Sequence, residues 1–467
     1  MKVHISAICG TAMGSLAGLL QARGSQVTGS DQDVYPPMSD QLAAMGIPIR
    51  SPYAEENVPA DADLVVLGNA LSRGNPEVEV VLDRKQRLSS MPALLAEEFL
   101  RERQSLVVAG THGKTTTTSL LAHLLMQGGK DPSFLVGGVP RDFDRSWRLG
   151  GGEHFVVEGD EYDSAFFDKR PKFVHYRPDL AVLGNVEFDH ADIYPDLAAV
   201  KLAFFRLLQV IPRRGLLVAG ADSAAVRELL PSAPCRVETF GLDEGASWRA
   251  LDVGPDPAGG WRFRLLRDGR DQGEFVLPLP GEHNVRNALA ALAAAAAAGV
   301  DLEKARAALA AFGGVKRRLE LRGVVDGVTV YDDFAHHPTA VRETLKTLRR
   351  GLAAGRLVAV FEPRSYTSRT RTFQQDFATA LALADRAVVA AAHLPGKVPP
   401  AQRVSEAELV ASINESGGRG SLIGSVAEIV STLADELRPG DQVVVLSNGG
   451  FGGIHEKLLQ ALAARPR

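Results

Sequence analysis

The chain has little cysteine, no balance of charge toward either sign, and no long apolar run. Cys9 and Cys235 are its only cysteines in 467 residues, too few for a disulfide framework and suited to a reducing compartment. Lys+Arg number 52 against 56 Asp+Glu, a net charge of −4. So near-neutral a balance carries no electrostatic footprint for nucleic acid or for an anionic membrane. The Ala-rich run Ala288–Val300 is too short and too weakly apolar to span a bilayer, which takes about 20 residues; it reads as a buried helix. The apolar-looking start MKVHISAICGTAMGSLAGLL is a poor signal peptide, with one lysine, an early His4 and glycines scattered through it. A cytoplasmic protein with neither nucleic-acid nor membrane partners is expected. Oligomeric state has no signature in the sequence.

What is present points to a folded enzyme. At 45% hydrophobic and 23% charged residues the chain can build cores, which excludes disorder of the whole. Its length suits about three domains. Glycine is abundant at 46 residues, which suggests loops where backbone approaches a ligand.

Apolar strands alternate with helical stretches throughout. Lys2–Ala7, Gln26–Ser30 and Asp63–Leu67 read as strands of a small Rossmann-like unit, with a helix over Ser15–Arg23. Ser105–Ala109, His154–Glu158, Leu180–Leu183 and Gly215–Ala219 form a second series. It carries a hairpin excursion in WRFRLLRDGRDQGEFVLPL and closes with helices over Asn284–Ala298 and Leu302–Phe312. Val328–Asp332, Leu357–Phe361, Arg386–Ala390 and Gln442–Leu446 form a third. Near-continuous apolar strands between helices imply mostly parallel sheets covered on both faces. The expected fold class is α/β in three domains: 1–104 Rossmann-like, 105–315 P-loop ATPase-like, and 316–467 Rossmann-like again.

Between a strand and a helix lies Gly110-Thr111-His112-Gly113-Lys114-Thr115-Thr116. Backbone N–H groups of such a loop cradle phosphates, and the helix N-terminus favours their charge. Lys114 would reach the terminal phosphates of ATP, and the Thr115 hydroxyl would ligate Mg²⁺. The loop departs from GxxxxGK[ST], because Val108 stands where the first glycine would be. Mg²⁺ needs further oxygen ligands, and two carboxylate clusters follow apolar strands: Glu158-Gly159-Asp160-Glu161-Tyr162-Asp163 and Asn185-Val186-Glu187-Phe188-Asp189-His190-Ala191-Asp192. From the residues alone, His190 is equally a metal ligand or a capping histidine.

Taken in order with Gly281–Ala288 (GEHNVRNA), Lys316–Glu320 (KRRLE) and Tyr331–Pro338 (YDDFAHHP), these motifs resemble the Mur ligase family of peptidoglycan enzymes over essentially the whole chain. Two branches of that family look alike. One adds L-alanine to UDP-N-acetylmuramate; the other, a recycling branch, adds the intact tripeptide L-alanyl-γ-D-glutamyl-meso-diaminopimelate. The chain is similar to the second in Ile8–Gly14, in Val34-Tyr35-Pro36-Pro37-Met38-Ser39, in Phe167–Pro178, in Phe361-Glu362-Pro363-Arg364-Ser365 and in Ser447–His455.

The resemblance implies roles. Lys114 and Thr115 hold ATP phosphates and Mg²⁺, with Glu158 as ligand of a first metal and His190 as ligand of a second. His283, Asn284 and Asn287 lie near adenine. Arg318 and Asp332 come from the third domain onto phosphates and ribose, and His336 and Arg364 face the incoming peptide. The UDP-sugar lies on the first domain, against Gly10, Thr11, Met13 and Gly14, Ser30 and Asp31, and Ser72 and Asn75. Lys114, His190, Arg318 and His336 would carry catalysis. Some family members use a carbamoylated lysine, but Phe205 stands there, and Lys201 is off register and reads as an ordinary helix lysine. Arg369 and Arg371 are either further peptide contacts or a solvated helix start. Gly10, Gly14 and Gly18 are four apart, not G-x-G-x-x-G, so a dinucleotide oxidoreductase fits poorly; Gly18 suits close packing better than ligand contact. A non-catalytic nucleotide-binding regulator on the same folds is the other alternative.

Overall fold

The computed structural model describes residues 1–32, 34, 38–352, 354–394 and 398–465. Tyr35, Pro36 and Pro37 of the stretch Val34–Ser39 lie outside the described residues. Three sheets succeed one another along the chain. The first holds β1 (Lys2–Ser6), β2 (Gln26–Ser30), β3 (Ile49–Arg50), β4 (Leu64–Leu67) and β5 (Leu88–Ser89) in the order β3-β2-β1-β4-β5, all parallel. The helix after β1 begins at Thr11, earlier than the apolar pattern suggests, because Gly10 is extended and serves as its N-cap.

The second sheet has ten strands. They are β6 (Gln104–Ala109), β7 (Ser133–Leu135), β8 (Trp147–Arg148), β9 (His154–Gly159), then, past a separate hairpin of β10 (Asp163–Ala165) and β11 (Asp168–Pro171), β12 (Leu180–Leu183), β13 (Leu216–Gly220), β14 (Arg236–Gly241), β15 (Trp248–Pro255), β16 (Trp261–Arg267) and β17 (Arg270–Leu277). The order is β17-β16-β15-β14-β13-β12-β6-β9-β7-β8, parallel from β15 to β7. The hairpin β16–β17 turns on Asp268-Gly269, both at positive φ, the conformation a tight right-twisted hairpin requires. The Ala-rich run belongs to the helix Glu282–Ala297, whose residues Ala290–Ala295 are buried. Small side chains there let it pack closely on the helix Lys114–Gln127.

The third sheet is β18 (Glu320–Val325), β19 (Val328–Asp333), β20 (Leu357–Phe361), β21 (Arg386–Val389), β22 (Gly420–Leu422) and β23 (Gln442–Leu446), in the order β18-β19-β23-β20-β21-β22. Only β18 runs antiparallel.

One apolar core joins the first sheet's layer to the second. Leu16, Leu19 and Leu20 of the helix Thr11–Ala22 share a cluster with Leu135, Trp147 and Phe155. Gly18 lies flat on the Trp147 ring: a Cβ there would stand 2.2 Å from the indole. Ser15 and Ser146 hydroxyls meet beside it at 2.7 Å. The third sheet keeps its two cores to itself.

Candidate active site

β6 ends at Ala109, and the chain turns through Gly110 and Gly113 before the helix starts at Lys114. Both glycines have positive φ. At Gly113 a Cβ would also fall 2.3 Å from Asn287 Oδ1, so only glycine closes this turn. Asn185, at the end of the neighbouring β12, clamps the loop. Its Oδ1 accepts from His112 N at 2.8 Å, its Nδ2 donates to His112 O at 3.1 Å, and its carbonyl accepts from Thr111 N at 2.9 Å.

The Lys114 ammonium donates to Glu161 Oε2 at 2.8 Å and to Gly110 O at 2.8 Å. Burial alone would lower its pKa; Glu161, Asp160 and Glu158 outweigh that and raise it, so the charge is kept. The same Glu161, 1% exposed, bonds His190 Nε2 at 3.0 Å. Glu158 accepts from the Thr115 hydroxyl at 3.0 Å and from Gly137 N at 2.7 Å, and burial raises its pKa. A carboxylate desolvated against a hydroxyl is a pair of oxygen donors that fits a divalent cation; His190 lines the same cavity, its Nε2 held by Glu161.

The loop opens into a cavity of about 1040 Å³ between the second and third sheets. Its walls include Thr111 to Thr116, Glu158, His190, His283, Asn284 and Asn287 from the central part of the chain. Arg318, Asp333, His336 and His337 come from the third. Arg318 Nη2 reaches Thr115 Oγ1 at 3.2 Å. His336 Nδ1 is 3.0 Å from Phe334 O. A carbonyl only accepts, so Nδ1 carries the proton and Nε2 keeps a lone pair. Burial lowers the His336 pKa, which favours the neutral ring. Among the described residues, Nδ1 of His283 is buried with no partner, and burial holds that ring's pKa near 4. Such an orphaned atom suits a ligand group on the cavity side.

Not every expected residue joins the cavity. Asp332 points to the other face of β19, where it pairs with Arg317 at 3.3 Å and His455 at 3.4 Å. Strand alternation instead presents Asp333, which accepts from Leu319 N at 2.6 Å and Ala335 N at 2.8 Å and so braces the turn bearing Arg318 and His336. Arg364 is absent from the walls; it lies over Gly449, where a Cβ would be 2.0 Å from its Nε, and 3.7 Å from Glu362. Arg369 donates to the carbonyls of His393 and Leu394, and Arg371 to Arg403 O and Glu408. Both are internally engaged. Lys201 pairs with Glu228 at 2.6 Å on the cavity rim.

The first-domain residues gather at the carboxyl ends of β1, β2 and β4, apart from this cavity. Gly10, Thr11 and Ser72 are exposed. Met13 is buried, and Gly14 sits against Met38, whose sulfur would be 2.2 Å from a Cβ. Asp31 accepts from Cys9 N at 2.8 Å and Tyr53 OH at 3.0 Å. Asn75 caps the helix Pro76–Asp83. Ser30 is fully buried and donates to Glu77 at 2.5 Å. Glu77, which no sequence motif singles out, also accepts from Ser6 at 2.5 Å and Asn57 at 2.9 Å.

Family models match in three consecutive pieces. Residues 2–103 match one described as Mur ligase family, catalytic domain; residues 108–295 match the Mur ligase middle domain; residues 317–449 match the Mur ligase glutamate ligase domain. The chain is 44% identical, over 100% of its own length and 99% of the relative's, to the UDP-N-acetylmuramate–L-alanyl-γ-D-glutamyl-meso-2,6-diaminoheptandioate ligase of Escherichia coli. It is 37% identical, over 99% of its length and 89% of the relative's, to the UDP-N-acetylmuramate–L-alanine ligase of Salinispora arenicola. The crystal structure of a murein peptide ligase from Psychrobacter arcticus superposes with a TM-score of 0.75 at 39% identity, covering 100% of both chains.

Proposed function

The chain belongs to the Mur ligase family, and on that premise we propose that it is an ATP-dependent ligase of murein recycling. It joins the carboxylate of UDP-N-acetylmuramate to the amine of L-alanyl-γ-D-glutamyl-meso-diaminopimelate. The observation that carries the chemistry is the cavity in which Lys114, Arg318 and His336 meet. The choice of tripeptide is supported by the full-length likeness to ligases of that acceptor, above the likeness to L-alanine ligases. Work in the cytoplasm fits the absence, among the described residues, of any helix able to cross a membrane.

A carboxylate and an amine do not condense in water without activation; phosphoryl transfer from ATP makes the carboxylate an acyl phosphate. The Gly110–Thr116 loop orients the phosphates, and Lys114 and Arg318 neutralise charge as it moves toward the leaving group. Glu158 and Thr115 would hold one Mg²⁺ and His190 a second, which supply further neutralisation of phosphate charge when bound. His283, Asn284 and Asn287 line the part of the cavity suited to adenine. The amine must be neutral to attack, and His336 Nε2 is the free base placed to take its proton. Apposition of the third domain keeps water from the acyl phosphate. The first domain takes the UDP-sugar at Gly10, Thr11 and Asp31, with Ser30 and Asn75 building that end of the sheet.

One phosphate-release assay tests this. With UDP-N-acetylmuramate and ATP, the tripeptide should support turnover far above free L-alanine, and Lys114→Ala should remove it. Turnover with L-alanine alone would reassign the acceptor; ADP formation unaffected by Lys114→Ala would reject the site.

A further inference from the structure

Three side chains on one wall of the cavity have no chemical step in the ligation, although Glu187 Oε2 accepts the Thr339 hydroxyl at 2.7 Å. They are the imidazole of His112 in the phosphate loop, Glu187 beyond β12, and His337 at the start of the helix Pro338–Gly351. One ligand atom from each lies within 4.8 Å of the other two. His112 Nε2 and Glu187 Oε2 are 3.3 Å apart, about the edge of a tetrahedron with metal bonds of roughly 2.0–2.1 Å. His337 Nε2 faces Phe188 O at 3.1 Å. That nitrogen must donate, which leaves Nδ1 with the lone pair, held only by a long 3.3 Å bond from Thr339 N among the described residues. Giving the far N–H to a backbone carbonyl is how metal-binding imidazoles are oriented. Burial lowers His337 toward the neutral form a ligand needs.

We propose that His112, Glu187 and His337 form a domain-bridging site for a first-row transition cation, with zinc the best match. Two imidazoles, one carboxylate and a fourth position open to the cavity are a zinc donor set. It is distinct from the Thr115–Glu158 oxygen pair, which suits Mg²⁺, and from His190, which is bonded to Glu161. His112 and Glu187 belong to the central domain and His337 to the third, so the site is complete only while the two are together. A bound ion therefore favours the closed arrangement. The inference rests on that apposition and not on which acceptor is ligated, and its readout is metal binding rather than turnover.

The probe is Co²⁺, titrated into the full chain with saturating Mg²⁺ and a non-hydrolysable ATP analogue. One equivalent should bind with the visible absorption of a four-coordinate N/O site, and Zn²⁺ should displace it. Glu187→Gln keeps the acceptor for Thr339, and His337→Asn keeps a helix cap. With His112→Asn, each should weaken Co²⁺ binding by about tenfold or more, with thermal melts certifying the fold. No binding above that of Mg²⁺, equal binding by all three variants, or loss only in His190→Ala would overturn the assignment.

Discussion

The first and third domains meet the central one through opposite kinds of surface. The first is fused to it by shared core: Leu16, Leu19 and Leu20 pack with Leu135, Trp147 and Phe155 in one cluster, and Gly18 lies on the Trp147 ring. The third touches it mainly through single directional bonds. Thr339 donates to Glu187 at 2.7 Å, Thr367 to Asp189 at 2.6 Å, Arg318 to Thr115 at 3.2 Å, and Arg350 to Glu282 at 2.5 Å. Aromatic contact there is thin, as between Phe188 and Phe373 at 5.6 Å. Apolar burial is non-directional and grows with area, whereas each hydrogen bond nets about 0.5–1.5 kcal/mol and an exposed ion pair about 0–1 kcal/mol. One seam rests on apolar area and the other on separable polar contacts. The apolar seam joins the ends of β1 and β2 to the glycine loop before Lys114; the hydrogen-bonded seam brings Arg318 and His336 to it.

The largest expected effect strikes the apolar seam. Trp147→Ala should destabilise by about 3–5 kcal/mol in chemical denaturation and uncouple a separate transition of the first domain. A single unshifted transition would mean that the seam is not what fuses the two.

Next is acid. Glu77 is buried in the first domain; burial would raise its pKa, but the His4 ring 3.9 Å away and hydrogen bonds from Ser30, Ser6 and Asn57 hold it at about 2. A depressed carboxylate stabilises above its unfolded pKa near 4.3 and loses that contribution as pH falls through its folded value. Stability should fall by about 2 kcal/mol between about pH 4 and pH 2, and Glu77→Gln should flatten that slope. An unchanged slope would leave the apolar seam as the sole anchor of that domain's stability.

The smallest effect on stability belongs to the hydrogen-bonded seam. Thr339→Val should cost about 1 kcal/mol or less but should expand the chain in small-angle scattering with nucleotide bound, as closure loses a contact. A melting shift as large as that of Trp147→Ala would erase the contrast between the seams.

The sequence is legible where chemistry is local. Strand, loop and helix around Gly110–Lys114 follow from spacing, and the buried Ala290–Ala295 run from composition. It is illegible where a partner is distant. Glu161 sits unremarked among acidic neighbours until the fold brings Lys114 and His190 to it. Asp332 and Asp333 differ by one position, and which faces the cavity depends on the pleat of β19 in its sheet. Ser30 reads as a ligand-facing polar residue at a strand end, yet Glu77, far along the chain, claims its hydroxyl. Asn185 is visible as part of a motif, but its clamp on His112 exists only because β6 and β12 are neighbours.

The contact of Gly18 with Trp147 constrains how these enzymes can be recombined. A first domain grafted from a relative brings its own residue at the position of Gly18. Any side chain there would have to displace the indole. A chimera designed to change the sugar nucleotide must therefore carry glycine and tryptophan across as one unit, or the exchanged domain will fold without docking.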